Sequence, residues 1–175
     1  MNPTLQQLQN EIASSLQGLD STQTQTVPTS QPDKWSIQQI AQHLCLTYDS
    51  TETAINGRLV KGRPTRTRPT IMQRIAQYLV TVIGYFPHGR EAPSAVIPPA
   101  GGDRLSGEDL SRAAAEGLAR IDKLLNEAED LFGRQRCISH EVLGPLSIHQ
   151  WRTFHLVHGR HHIRQIVDLR ASRNL

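Results

Sequence analysis

The sequence predicts an all-α protein, an antiparallel four-helix bundle with an additional short helix. Apolar residues recur every three or four positions through several long segments, as on a helix with one buried face. Several of these segments follow a Ser or Thr with Gln or Asp three positions later, which is the pattern of a capping box. Aromatic residues make up only 5% of the chain, few for a β-sandwich, and no credible pair of strands stands out. All 175 residues are expected to form one domain.

The first helix is predicted to begin at Thr4, which would form a capping box with Gln7, and to end at Gly18. Residues 20–34 are polar, contain two prolines and are predicted to form a loop. Ser36 and Gln39 form a second capping box, and the apolar stripe after them predicts a long helix to about Val60.

A basic loop, residues 61–68, carries four cations in eight residues. It is interpreted as a solvated connection, and steering of an anion is the alternative. A third helix is predicted from its apolar stripe of Ile71, Ile75, Tyr78, Leu79, Val82 and Phe86. Residues 87–105 are rich in Pro and Gly and are predicted to be an irregular connection of the kind that often rims a site.

The last two helices also follow capping signals. Ser106 with Asp109 opens the fourth helix, which Gly133 ends, and Ser147 with Gln150 opens the last one, which runs to about residue 169. The stripe of this last helix faces the core at steps of three and four residues. It consists of Trp151, His155, His158, His162, Gln165 and Leu169.

Histidines in this stripe indicate a metal site. His158 and His162 are four residues apart, so their imidazoles project from one face of the helix. Buried imidazoles without partners are costly, and a neutral imidazole nitrogen is a good ligand for Zn, Ni, Cu or Fe. His43 lies on the edge of the second helix's stripe, and antiparallel packing would bring it beside that pair as a third ligand. Three histidines and a water would form an open, catalytic type of site, with Gln165 orienting a ligand or the water.

Each of these residues has a plainer interpretation. A His-x-x-x-His pair is more often on the surface or satisfied in the core than in a metal site. His155 is an acid–base candidate or an alternative ligand, but a core histidine with a hydrogen-bond partner is the commoner case. Glu141, in the loop before the last helix, is a second acid–base candidate or simply solvated. His161 lies off the stripe and is interpreted as solvent-facing or as a group behind a ligand. Cys45 is interpreted as a small core residue.

The composition and charge of the whole chain bear on its cellular compartment and its possible partners. Two cysteines, Cys45 and Cys137, cannot build a disulfide framework, and they suggest a reducing compartment. With no visible signal peptide, a cytoplasmic location is expected. No apolar run is long enough to span a membrane, and no membrane partner is expected. The formal charge of +3 does not by itself argue for nucleic acid, though it permits a small anionic ligand. No nucleic-acid module is recognisable, and no such partner is expected.

Two segments resemble a known family. Residues 35–44, Trp-Ser-Ile-Gln-Gln-Ile-Ala-Gln-His-Leu, resemble the "W-S…H-L" entry of the DinB/YfiT-like superfamily. Residues 140–147 and 151–165 resemble its closing "H-P-x-L-G…W…H-x-x-H-H-x-x-Q" block, most closely in a branch of uncharacterised function. Glu141 departs from this branch, which usually has proline there. Residues 60–105 carry little of the resemblance.

This resemblance implies a four-helix bundle with a divalent metal site on His43, His158 and His162, and zinc or nickel is the metal that we expect there. Related proteins include transferases and isomerases that use small bacterial thiols, and homodimers are common among them. The sequence therefore predicts a metal-dependent transferase, isomerase or hydrolase acting on a small, anionic molecule. The alternatives are a non-catalytic bundle that binds a metal or ligand, and a metal-free helical interaction protein.

Overall fold

The computed structural model describes residues 1–29, 31, 33–86, 92–133 and 136–175. These residues are mostly helical, as predicted, with one small antiparallel sheet. The helices are α1 Pro3–Leu16, α2 Ile37–Val60, α3 Ile71–Tyr78, α4 Gly107–Phe132 and α5 Ile148–Ala171, and the strands are β1 Arg136–His140 and β2 Gly144–Ser147. A π-helical turn, Leu79–Ile83, continues α3, and 3-10 turns occupy Gln23–Gln25 and Ser94–Val96. None of the described helices is long and apolar enough to cross a membrane.

The long helices share one apolar core. Helix α1 contacts α4 and α5, and α2 contacts the same two helices. Their buried side chains form a continuous cluster in which Leu8, Tyr48 and Leu118 are at most 1% exposed. The helical fold expected from the sequence is confirmed, whereas the antiparallel four-helix arrangement stays a prediction.

Capping boxes begin three of the long helices where the sequence predicted them. Ser36, Ser106 and Ser147 each accept a hydrogen bond from the backbone N–H three residues later. The predicted start of α1 is wrong, because Asn2 caps it and its side chain accepts from the Thr4 N–H. Pro3 is the first helical residue, where its fixed φ is favourable and its missing N–H costs nothing.

A strand pair that the sequence analysis did not foresee precedes α5. Strands β1 and β2 pair with Ile138 opposite Leu146, and both of these side chains are buried. Gly144 begins β2 with a φ of +69°, which favours glycine. Three successive residues of β2 are buried and the pairing of β1 is irregular between Arg136 and Ile138, and therefore the alternation signal was missing. His140 is consequently the last residue of β1, and Glu141 lies in the turn after it.

Helix α3 does not bury the stripe that predicted it. Ile71, Ile75, Tyr78 and Val82 are between 49% and 78% exposed. The helix ends after eight residues, and the π-helical turn that continues it stops at Gly84, whose φ is +72°. The helical period of the stripe is confirmed, but these four side chains point outward, whereas Phe86 packs against the core.

The two predicted loops meet at the start of α2. Gln38 accepts from the Leu105 N–H, donates to the Asp103 carbonyl and accepts from the Gln25 side chain. Residues 30 and 32 of the first loop and 87–91 of the second lie outside the described residues. The second loop then lies against α2 through its 3-10 turn, which places Val96 beside His43.

Candidate metal centre

Three histidines from two helices meet in the core. His43 comes from α2, and His158 and His162 come from successive turns of α5; each is only 4–6% exposed. The Nε2 atom of His158 lies 3.3 Å from that of His43 and 3.1 Å from that of His162. The three possible ligand atoms all lie within 4.8 Å of one another, so they can hold one metal ion.

Hydrogen bonds behind the rings decide which nitrogens carry lone pairs. His43 Nδ1 lies 2.7 Å from the Val96 carbonyl oxygen, to which it can only donate. His162 Nδ1 is 2.8 Å from Gln165 Oε1 and donates in the same way. In neutral imidazoles with protonated Nδ1, each Nε2 is an acceptor or a metal ligand. Both of these rings therefore present a lone pair toward His158.

The spacing of the nitrogens fits a metal ion. Nitrogens bound to a tetrahedral zinc at about 2.0–2.1 Å stand about 3.3–3.4 Å apart, close to the 3.3 Å and 3.1 Å that separate His158 Nε2 from the other two. Hydrogen bonding alone would leave the cluster incomplete, because His158 Nε2 carries at most one proton and faces two acceptors. A divalent ion would satisfy all three lone pairs at once.

Burial keeps the imidazoles neutral, the state in which they bind metals. Loss of solvent lowers the pKa of His43, and it lowers the pKa of His158 well below the ordinary value. The pKa of His162 falls to about 3, first through burial and then through the nearby His43. Protons therefore compete weakly with a metal for these nitrogens near neutral pH.

Aromatic rings surround the cluster. Phe154 stacks parallel to His158 with ring centroids 5.4 Å apart, and Phe86 lies 5.0 Å from the same ring. Trp35 lies 4.9 Å from the His43 ring. No described residue accepts a hydrogen bond from His158 Nδ1, so packing against Phe154 and Phe86 orients this ring.

Gln165 connects His162 to His161. While Gln165 Oε1 faces His162, its Nε2 lies 3.3 Å from His161 Nε2 and can donate to it. Both contacts are satisfied in one orientation of the amide, in which Oε1 accepts from His162 Nδ1 and Nε2 donates to His161 Nε2. His161 is buried and also packs against His162. His161 was predicted either to face solvent or to lie behind a ligand, and the first of these predictions is wrong.

The structure separates the two acid–base candidates. His155 is buried beside Tyr48, Trp151 and Phe154, and neither of its ring nitrogens has a hydrogen-bond partner among the described residues. His155 is a core histidine, but the hydrogen-bond partner that was expected for its ring is not found among the described residues. Glu141 is exposed in the β1–β2 turn and has no hydrogen bond or ion pair to the three histidines in the described ranges. Neither residue has a demonstrated role.

Two nearby residues have structural roles. His140 Nδ1 accepts hydrogen bonds from the backbone N–H groups of Val142 and Leu143, which closes the turn before β2. Burial lowers the pKa of His140 to about 4, so it is neutral and able to accept them. Cys45 packs against the core as predicted, and burial raises the pKa of its thiol to about 11. The side chain of Cys137 lies outside the described residues.

Sequence reasoning did not identify Val96 and Phe86 as neighbours of the cluster. Val96 acts through its backbone carbonyl, which leaves no signal in the side-chain pattern. Phe86 was assigned to the third helix, and its contact with His158 depends on where the chain goes after that helix ends. Proline and glycine in residues 87–105 were the one signal that this part of the chain lies at a site.

A helical fold with a buried three-histidine cluster defines a class of candidate metalloproteins. The chain belongs to the DinB superfamily, whose family model matches residues 4–166. This is a metal-binding family. No curated protein and no solved structure matches the chain.

Proposed function

We propose that this protein is a divalent-metal-dependent enzyme that acts on a small, anionic molecule. His43, His158 and His162 hold the ion, with zinc or nickel as the proposed metal. The observation that carries the proposal is the convergence of three Nε2 atoms, two of which have Nδ1 hydrogen bonds that point their lone pairs inward.

The chemistry proposed for the site is activation of a nucleophile. When bound to three histidines, a divalent ion supplies Lewis acidity to a water or thiol in a remaining coordination position. Val96 and Gln165 hold their histidines in the metal-binding tautomer. Phe86, Phe154 and Trp35 lower the local polarity, which strengthens electrostatic interactions inside the site. Thiol-dependent transfer or isomerisation is the reaction proposed first, and hydrolysis the second.

His155 is the proposed acid–base residue. It precedes His158 by one turn on the same face of α5. Burial lowers its pKa to about 3, so the ring is neutral near pH 7 but only a weak base. No contact supports Glu141 in this role.

A non-catalytic metal- or ligand-binding protein is the second candidate. The observation that favours it is the burial of all three histidines behind aromatic rings. A site closed to solvent fits storage or a structural metal better than turnover. Both proposals include a cytoplasmic location, which rests on the sequence, and a homodimer, which rests on the family resemblance alone.

Metal content of the protein, purified without an affinity tag, tests the site. We expect about one divalent ion per chain in the parent, and its loss in His43→Ala and in His162→Ala. His149→Ala is the matched control, because His149 is an exposed histidine on the same helix as His162. Full occupancy in either ligand variant, or no metal in the parent, would contradict the assignment.

Cobalt substitution separates the enzyme from the binding protein. The Co²⁺-loaded protein is titrated with a small thiol, and a sulfur-to-cobalt charge-transfer band is expected if the thiol enters an open position. An unchanged cobalt spectrum at saturating thiol would favour the second candidate.

A further inference from the structure

Helix α3 buries a polar side chain and exposes apolar ones, the reverse of an ordinary surface helix. Its polar Gln77 is only 3% exposed, and the side-chain amide donates to the backbone carbonyls of Leu143, at 2.7 Å, and Pro145, at 3.1 Å. Val80, in the π-helical turn, is buried on the same inner side. These contacts fix the rotation of the helix, since turning the isoleucines inward would remove Gln77 from both of its acceptors.

The outer side of this segment is apolar. Its exposed large apolar side chains, which we call the α3 face, are Ile71, Met72, Ile75, Tyr78, Val82 and Ile83. At 1.5 Å per residue they extend over about 18 Å along the surface. A stripe of large apolar side chains of this length is unusual on a soluble surface and marks a contact site.

The chain segment that carries the α3 face bears charge of one sign, and the exposed Glu141 lies in the neighbouring β1–β2 turn, which Gln77 contacts. Residues 53–86 contain no Asp or Glu. Four exposed cations lie in the loop that leads into α3, and Arg74 lies on the helix itself, next to Ile75. The loop cations are Lys61, Arg63, Arg66 and Arg68. None of these five cations forms an ion pair with a carboxylate within the described part of the chain.

This charge selects among the possible occupants. Pairing with a second copy through the same face would bring ten unneutralised cations together, which is repulsive. An anionic lipid surface offers both of the required contacts, an apolar layer for the stripe and negative headgroups for the cations. Tyr78 stands 56% exposed at the end of α3, and tyrosine favours the headgroup region.

We propose that the α3 face and the basic loop bind an anionic membrane surface, with α3 lying in the interface plane. The protein then associates peripherally and reversibly, without crossing the bilayer. The sequence analysis expected no membrane partner because no segment is long enough to span a bilayer. Peripheral binding does not require such a segment. The proposal does not depend on the metal, and its test leaves the three histidines intact.

Vesicle co-sedimentation tests this inference with the full chain. We expect binding to vesicles of phosphatidylglycerol and phosphatidylcholine, weak binding to phosphatidylcholine alone, and weakening as salt is raised. Arg66→Gln with Arg68→Gln should weaken binding roughly 25-fold, because each cation near an anionic leaflet contributes about fivefold. Ile71→Gln with Ile75→Gln should weaken it roughly tenfold or more through lost apolar burial.

A matched double variant on α4 is the control. Lys123→Gln with Leu131→Gln removes one exposed cation and one exposed apolar side chain away from the α3 face, and vesicle binding should be unchanged. Circular dichroism and metal content, equal to the parent in every variant, establish that each remains folded.

Three outcomes would overturn the proposal. One is equal binding to neutral and anionic vesicles, and another is no binding to either. The third is a dimer in analytical ultracentrifugation that Ile71→Gln with Ile75→Gln dissociates while vesicle binding is unchanged, which would assign the α3 face to a second copy.

Discussion

Gln165 is the residue on which the tautomer of His162 depends. Its Oε1 accepts from His162 Nδ1, which leaves Nε2 free for a metal. Replacing Gln165 by Leu removes this acceptor while keeping a similar size. We expect the affinity for Zn²⁺ to fall by roughly 10- to 100-fold, the usual effect of losing such a partner.

Competition with a chelating dye measures this change. Arg164→Gln is the control, because Arg164 is exposed on the neighbouring position of the same helix. Equal affinities in the Gln165→Leu variant and the parent would show that the ring of His162 is oriented by packing alone.

His155 makes folding stability depend on pH. Unfolded histidine takes up a proton near pH 6.5, whereas burial lowers the pKa of folded His155 to about 3. The unfolded state therefore binds more protons between these values, and stability falls as pH drops below about 6.5. For this residue the loss between pH 7.5 and pH 5.5 is about 1.4 kcal/mol.

Urea unfolding of the metal-free protein at these two pH values measures the effect. The variant His155→Phe should lose about 1.4 kcal/mol less than the parent over the same interval. An identical loss in both proteins would mean that His155 is protonated or solvated in the folded state.

At the scale of helices, two glycines in helical segments have opposite surroundings. A Cβ on Gly117 of α4 would lie 2.8 Å from the Tyr48 ring, which is buried against it, whereas a Cβ on Gly57 of α2 meets nothing within 4 Å. We expect Gly117→Ala to destabilise the protein by about 1–3 kcal/mol through overpacking. Gly57→Ala should stabilise it by about 0.5–1 kcal/mol, because alanine favours a helix.

Thermal or urea unfolding of the two variants compares the same chemical change in both places. A stabilising Gly117→Ala would show that α2 and α4 do not approach closely at Tyr48.

The starts of three long helices followed from local signals, but the direction of a helix face did not. Ser36, Ser106 and Ser147 predicted the starts of α2, α4 and α5 because a capping box involves only neighbouring residues. The stripe of α3 had the same period, yet its isoleucines point outward. That outcome depends on Gln77 reaching two carbonyls more than sixty residues away, which no local pattern encodes.

On the scale of the whole molecule, the candidate site joins residues 115 positions apart, His43 and His158. Their meeting was predictable because each lies on the inward side of a long helix, and packed helices bring such sides together. The orienting carbonyl of Val96 and the ring of Phe86 were not predictable, because both belong to the irregular chain between α3 and α4. The match of the family model to residues 4–166 agrees with the prediction of one domain without testing it.

X-ray absorption spectroscopy of the Zn²⁺-loaded protein tests the central claim, that three histidine nitrogens hold one divalent ion. The account predicts a first shell with three imidazole nitrogens at about 2.0–2.1 Å and one or more further light atoms, without sulfur. His43→Ala should reduce the imidazole scattering to two rings. A sulfur shell near about 2.3 Å, or a shell of oxygen atoms without imidazole, would contradict the account.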